Sequence, residues 1–283
     1  MLAIEVKGLI KKYPNKIAVD GIDLEVHSGE IFALLGPNGA GKTTTVEILE
    51  GYRDRDSGEV SVLQQDPGKL GKNGSAWRNK IGIVLQSTKD SEDLSVEEVV
   101  SHFAKYYLNP RDPLQVIEEV GLTDKRSARI GTLSGGQRRR LDVALGIIGN
   151  PQILFLDEPT TGFDPEARRQ FWELIRKLRD EGSTILLTTH YLDEAEALAD
   201  RVAVILNGKI IEVATPHELG GRKKANAIVI WVENGVEKMV ETDSPTELLR
   251  KLSRDYQGEI PGLQIKRPTL EDTYLKMIGE SNA

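Results

Sequence analysis

Apolar runs closed by turn residues recur through the first two thirds of the chain: AIEV from Ala3, IDLEV from Ile22, IFALL (Ile31 to Leu35), IGIVL from Ile81, ILFL (Ile153 to Leu156), TILLT from Thr184 and VAVIL (Val202 to Leu206). IFALL, ILFL and TILLT barely alternate, which predicts strands buried on both faces of a mostly parallel sheet. Between the runs, helical periods appear, as in Pro165 to Glu181 with Phe171, Leu174, Ile175 and Leu178 in step. Alternating strands and helices predict an α/β fold with crossover helices.

From about Gln86 to Asn150 the strand-like runs stop. Leu94, Val99, Val100 and Phe103, then Leu114, Ile117 and Val120, predict short helices broken by Pro and Gly, a helical insertion in the α/β core. After Leu219 the charged stretch GGRKKAN reads as a linker. It leads to the run AIVIWV, a helix around Thr246 to Ser253, and a final helix after PTLED, where Thr269 and Asp272 have capping-box spacing. The expected division is a domain over 1–220, its helical subdomain at about 87–150, and a small α+β module over 221–283.

Glycine, lysine and threonine supply the first chemistry. GPNGAGKT, Gly36 to Thr43, follows IFALL directly and fits G-x-x-x-x-G-K-[ST], the pattern of a phosphate-binding P-loop. A polyphosphate needs backbone N–H donors turned inward around an unobstructed loop; Gly36, Gly39 and Gly41 remove the obstruction, and Pro37, Asn38 and Ala40 belong to the same phosphate-binding stretch. The following helix, about Lys42 to Leu49, adds its positive end. Lys42 reaches the terminal phosphates, Thr43 offers a hydroxyl to Mg²⁺, and Thr44 adds a donor near the first phosphate. ILFLDEP delivers Asp157 and Glu158 to the carboxyl end of a second buried strand, where α/β sites gather. Asp157 is the expected acidic partner of Thr43 at Mg²⁺, and Glu158 the expected general base for the attacking water.

Composition narrows the choices. The 283 residues carry 37 Lys+Arg against 44 Asp+Glu, a formal charge of −7, which argues against broad nucleic-acid binding. The short basic clusters, Arg138 to Arg140 among them, read as solvated faces. No cysteine is present, so thiolate zinc sites, iron–sulfur ligation and cysteine nucleophiles are excluded. The apolar runs span about five residues where a membrane helix needs about twenty, and the N-terminus lacks a signal-peptide pattern. A cytoplasmic location is expected.

LSGGQ, Leu133 to Gln137, looks like a second phosphate-facing loop opening a helix, with Ser134 and the N–H groups of Gly135 and Gly136 suited to a terminal phosphate. With it the sequence resembles the ATP-binding subunits of ABC transporters over about residues 2 to 219. The resemblance implies a RecA-like P-loop NTPase core, an antiparallel β-subdomain and a head-to-tail dimer in which Ser134, Gly135, Gly136 and Gln137 complete the partner's ATP site. It further implies adenine stacking on Tyr13, Mg²⁺ and water sensing by Gln86, a dimer-crossing loop at Asp164, and γ-phosphate contact by His190. Phe163 stands where leucine is usual, and Gln64 where a glycine turn residue is common.

The C-terminal PTLED (Pro268 to Asp272) and the flanks TTTVEILEGYRDRDSGEV and TTHYLDEAEALADRVAVILNGKI look most like the ABC-2-type subgroup, which serves drug, lipid or polysaccharide export. The implied cofactors are ATP and Mg²⁺. The implied partners are a second copy of the subunit and a polytopic permease that holds the chain at the inner membrane face, with no nucleic acid. An importer ATPase, or a non-transport type such as an Fe–S assembly ATPase, remains open. The long coiled coil of chromosome-maintenance ATPases and the paired cassettes of translation factors are both missing.

Overall fold

The computed structural model describes residues 1–71, 74–84, 92–256 and 258–281. In chain order the elements are β1 (Leu2–Tyr13), β2 (Lys16–His27), β3 (Ile31–Leu35), α1 (Lys42–Leu49), β4 (Ser57–Val62), α2 (Ser75–Arg78), β5 (Ile81–Val84), α3 (Val96–Ala104), α4 (Pro113–Glu119), α5 (Gly135–Ile147) and β6 (Ile153–Asp157). They continue as α6 (Pro165–Asp180), β7 (Thr184–Thr189), α7 (Leu192–Leu198), β8 (Arg201–Leu206), β9 (Lys209–Ala214), β10 (Ala227–Glu233), β11 (Val236–Thr242), α8 (Pro245–Asp255), β12 (Gln264–Lys266) and α9 (Leu270–Ser281). Two compact units form, Met1–Val213 and Ala214–Ala283.

In the first unit a six-stranded sheet runs β5-β6-β7-β3-β8-β9. The central pairings β5–β6, β6–β7, β7–β3 and β3–β8 are parallel, and every residue of β3, β6 and β7 is buried. That burial is why these strands lack alternation: both faces are covered, one of them by α1 and a second sheet, and each fully buried large side chain contributes about 1.5–3 kcal/mol. Registers Leu35↔Thr189 and Asp157↔Thr188 bring the carboxyl ends of β3, β7 and β6 side by side. β8 turns into β9 through Asn207 and Gly208, both at positive φ, as a tight hairpin requires.

A second sheet, β2-β1-β4, is antiparallel. Its inward residues, including Val6, Leu9 and Ile22, share one core cluster with Phe32 and Leu34 of β3 and with Val46 and Ile48 of α1. Gln64, at the turn after β4, sits at φ 64, where glycine would be unstrained. The helices α3, α4 and α5 pack on one another. Their starts are fixed by Ser95, which forms a capping box with Glu98, by Asp112 ahead of Pro113, and by Ser134, which forms a capping box with Gln137.

The second unit holds the sheet β11-β10-β12, with Val229 and Trp231 packed against Leu252 of α8. Thr269 and Asp272 do form a capping box at α9: the Thr269 N–H donates to Asp272 Oδ2 at 2.8 Å, and the Asp272 N–H donates to Thr269 Oγ1 at 3.1 Å. The stretch read as a linker is built differently. Leu219–Lys224 forms a 3₁₀ segment in which Leu219 is fully buried, and the Arg222 guanidinium donates to Pro216 O and Pro268 O. Polar composition hid this packing, because guanidinium-to-carbonyl bonds and one leucine anchor leave no hydrophobic period. The unit boundary therefore precedes the 220/221 position expected from sequence.

Candidate functional site

Between β3 and α1 the chain turns through a glycine-rich loop. Gly36 is buried against β8, and a Cβ there would lie 2.4 Å from Ile205 O. Gly41 precedes α1 at φ 109, and its Cβ would lie 2.3 Å from Ala18 O. Only glycine fits either position. Gly39, at φ 79, completes the left-handed turns. Gly41 gives α1 no side-chain cap, so the first N–H groups of the helix keep their donor capacity for a ligand in the loop.

Lys42 is buried and aims its ammonium back into this loop, donating to Gly36 O at 2.8 Å and Pro37 O at 3.3 Å. Its Nζ also lies 3.5 Å from Glu158 Oε1. Thr43 Oγ1 donates to Asp157 Oδ2 at 3.1 Å, so the threonine hydroxyl and the strand-end acid converge from α1 and β6. The Thr188 hydroxyl donates to Asp157 Oδ1 and orients that carboxylate from the neighbouring strand.

Glu158 adopts φ 46, an uncommon backbone for glutamate that costs about 1–3 kcal/mol. Its N–H is anchored at Thr188, 3.2 Å from the carbonyl and 3.1 Å from the hydroxyl. The kink turns the carboxylate away from the strand direction toward Lys42 and His190. His190 Nδ1 stands 3.2 Å from Glu158 Oε1, within ion-pair distance but not aligned as a hydrogen bond. Nearby, burial pushes the Glu50 carboxyl up to about 8, reinforced by Asp157 and Glu47, so Glu50 holds its proton at neutral pH.

A cavity of about 470 Å³ is lined by Tyr13, Lys16, Ala18, Asn38, Gly39, Gly41, Lys42, Thr43, Thr44 and Glu158. The fold thus joins the aromatic end of β1 to the glycine loop and the acid. Arg53 and Lys11 flank the Tyr13 ring, 5.7 and 5.9 Å from its centroid. Ser134 to Gln137 do not line this cavity. Within one chain, Ser134 Oγ accepts from the Gln137 N–H at 3.3 Å, and a Cβ added at Gly135 or Gly136 would meet nothing within 4 Å. Asp164 caps α6 by accepting from the Ala167 N–H at 2.7 Å, while Phe163 is buried edge-on to Phe171. Gln86 lies outside the described residues.

Three contributors escaped the sequence reading. Lys16 hydrogen-bonds to Gly39 O at the cavity wall and has no motif to mark it. Thr188 could have been found as the hydroxyl two residues before His190. Arg139, which its charge groups with Arg138 and Arg140 on a solvated face, is instead buried, with its guanidinium on the carbonyls of 157–159.

A glycine cradle at the end of a buried parallel strand, with its lysine and a strand-end acid pair in one cavity, defines a P-loop nucleotide-binding protein. Residues 19–161 match the ABC transporter family. The daunorubicin/doxorubicin resistance ATP-binding protein DrrA of Streptomyces peucetius is 35% identical over 98% of this chain and 92% of that protein. The Nod factor export ATP-binding protein I of Rhizobium sp. (strain N33) is 41% identical over 77% of this chain and 72% of its own length. Among solved structures, cbiO1 of Clostridium perfringens, part of the cbiONQ ABC transporter complex, superposes with a TM-score of 0.68 at 29% identity, covering 77% of this chain and 90% of that one. A dimeric ATP-binding cassette in a post-hydrolysis state with ADP and Pi shares the fold, with a TM-score of 0.69 at 24% identity, over 75% of this chain and 98% of that one. The chain belongs to the ABC transporter family, in which it is an ATP-binding subunit that hydrolyses ATP.

Proposed function

We propose that this subunit powers an ABC-2-type exporter by closing on a second copy of itself around two ATP molecules. The observation that carries the reading is the split of phosphate-binding parts within one chain. Lys42, Thr43 and Glu158 share a cavity with Tyr13, whereas Gly135 and Gly136 stand open with no local need for glycine. A glycine pair with nothing to avoid in its own chain suits close approach by another.

In this reading Tyr13 stacks on adenine, residues 36–44 hold the phosphates, and the Lys42 ammonium exchanges its carbonyl partners for phosphate oxygens. Thr43 and Asp157, with Gln86, would hold Mg²⁺, which would shield the phosphate charge. Glu158 accepts the proton of the water that attacks the γ-phosphorus as the bond to ADP breaks. The anchored peptide at φ 46 keeps its carboxylate in place, and His190 borders the same point. Ser134, Gly135, Gly136 and Gln137 face the γ-phosphate of the partner subunit, and Asp164 lies in the loop that crosses the interface. Hydrolysis removes the bridging phosphate, and the pair reopens.

Export is supported by the relatives, of which the Nod factor proteins are export subunits by name. No helix among the described residues is long and apolar enough to cross a membrane, so a permease would hold the chain at the cytoplasmic face and choose the cargo. Met1–Val213 would form the motor and Ala214–Ala283 an accessory module. Glu158→Gln should trap the closed state. With saturating ATP and Mg²⁺, light scattering should report twice the 31.3 kDa chain mass; a monomer would refute ATP-driven closure.

A further inference from the structure

Arg139 stands five residues after the Ser134 cap, roughly 7.5 Å along the α5 axis. Its side chain is buried and does not itself line the cavity. Its Nη2 donates to Asp157 O at 2.7 Å and to Glu158 O at 3.3 Å, and its Nε donates to Pro159 O at 3.0 Å. One planar fork therefore holds three consecutive carbonyls at the place where the backbone enters its uncommon φ at Glu158. The Glu158 peptide is clamped from both sides, with Thr188 taking the N–H and Arg139 the carbonyl. Neither anchor touches the carboxylate. Both fix the peptide from which it projects, and φ at this residue sets the side chain's direction.

We propose that Arg139 is a positioning residue for Glu158, tying the helix that begins at the signature loop to the general base of the same chain. The proposal rests on the reading of Glu158 as the base. Without the fork, the Glu158 peptide can relax toward an ordinary strand-like φ and swing the carboxylate off its line. A helix is stiff over one and a half turns, so a displacement of the Ser134 end of α5 also moves the guanidinium. In a closed dimer, engagement of Ser134 with one nucleotide then bears on the base serving the other. A lysine cannot reproduce the fork, because an ammonium is a point donor on a flexible stem.

The test uses the full chain with Arg139→Gln, Arg139→Lys, Glu158→Gln and the Arg139→Gln/Glu158→Gln double variant. ATP affinity is read with a fluorescent nucleotide, and the hydrolysis step in single turnover. Arg139→Gln should lower the hydrolysis rate about 100-fold, the loss expected from a misplacement of about 1 Å, with ATP affinity within about 3-fold. Arg139→Lys should recover part of the rate. In the Glu158→Gln background the Arg139 change should cost less than about 3-fold, because the group it positions is gone. Equal losses in both backgrounds, or a folded Arg139→Gln with the wild-type rate, would overturn the proposal. Wild-type hydrolysis by Glu158→Gln alone would instead refute the general-base reading. Should Arg139→Gln fail to fold, because Asp142 lies 4.0 Å from its Nη1 and loses a buried partner, the charge-preserving lysine variant decides. A rate fall of about 10-fold without loss of affinity supports the positioning role, and an unchanged rate refutes it.

Discussion

Gly136→Ala separates a residue's value to its own chain from its value to a partner. Gly136 is the second residue of α5, has no positive φ, and has nothing within 4 Å of an added Cβ. Alanine is more favourable than glycine in a helix by about 0.5–1 kcal/mol. At about 2–4 °C per kcal/mol for a domain of this size, the melting temperature should rise by about 1–4 °C. ATP binding by the isolated chain should not change, since Gly136 does not line the Lys42 cavity. If its N–H meets a phosphate across the dimer, a methyl there holds the partner away. Losing a hydrogen bond to a charged group costs about 1.5–3 kcal/mol, or about 10- to 100-fold in ATPase activity. The assays are a thermal melt, a nucleotide titration and steady-state phosphate release. A stabilised protein with full ATPase activity would refute the two-chain site. A monomer that loses ATP affinity would place the signature in its own chain's cavity.

Gly41→Ala should do the opposite, lowering ATP affinity by at least about 10-fold, because a left-handed φ and a 2.3 Å approach to Ala18 O force the start of α1 outward; nucleotide titration checks this. Asp66 accepts two bonds from the Arg55 guanidinium at 2.6 and 2.8 Å, which first among its partners holds its carboxyl down to about 2. Its contribution is full above the unfolded value near 4 and fades as pH falls toward 2. Asp66→Asn should therefore cost about 2 kcal/mol at pH 7, a difference that shrinks in urea melts toward pH 3. Gly220→Ala should destabilise the second unit, since φ 59 is disfavoured and the new Cβ would lie 2.0 Å from Thr273 Cγ2. Hydrogen exchange should show that unit opening earlier while Met1–Val213 keeps its protection. Because the chain has no cysteine, Tyr106→Cys at an exposed position offers a single crosslinking site. Capture of a polytopic membrane protein is expected, and capture of soluble proteins alone would refute the exporter reading.

Much of the core and the cradle was legible because it depends on local chemistry. IFALL, ILFL and TILLT are apolar throughout, and only a strand covered on both faces tolerates that pattern, so the parallel sheet followed. Gly36, Gly41, Lys42 and Thr43 have fixed spacing because one turn of backbone must present them together. The helix cap at Thr269 was equally local, completed within three residues.

The tertiary structure decided what depends on partners distant in the chain. Sheet order placed Asp157 and Glu158 beside Thr188, and Thr43 against Asp157 across 114 residues. The left-handed φ of Glu158, a residue with no intrinsic preference for it, follows from two strands and α5 holding its peptide. The same limit concealed Arg139 and Arg222. A guanidinium is charged and reads as surface, but carbonyls brought together by folding satisfy it in the interior. Sequence determines which groups the chain can offer, through backbone sterics and hydrophobic period. Only packing decides which of them meet, because a long-range contact is fixed by the sum of many buried surfaces and is written in no single segment.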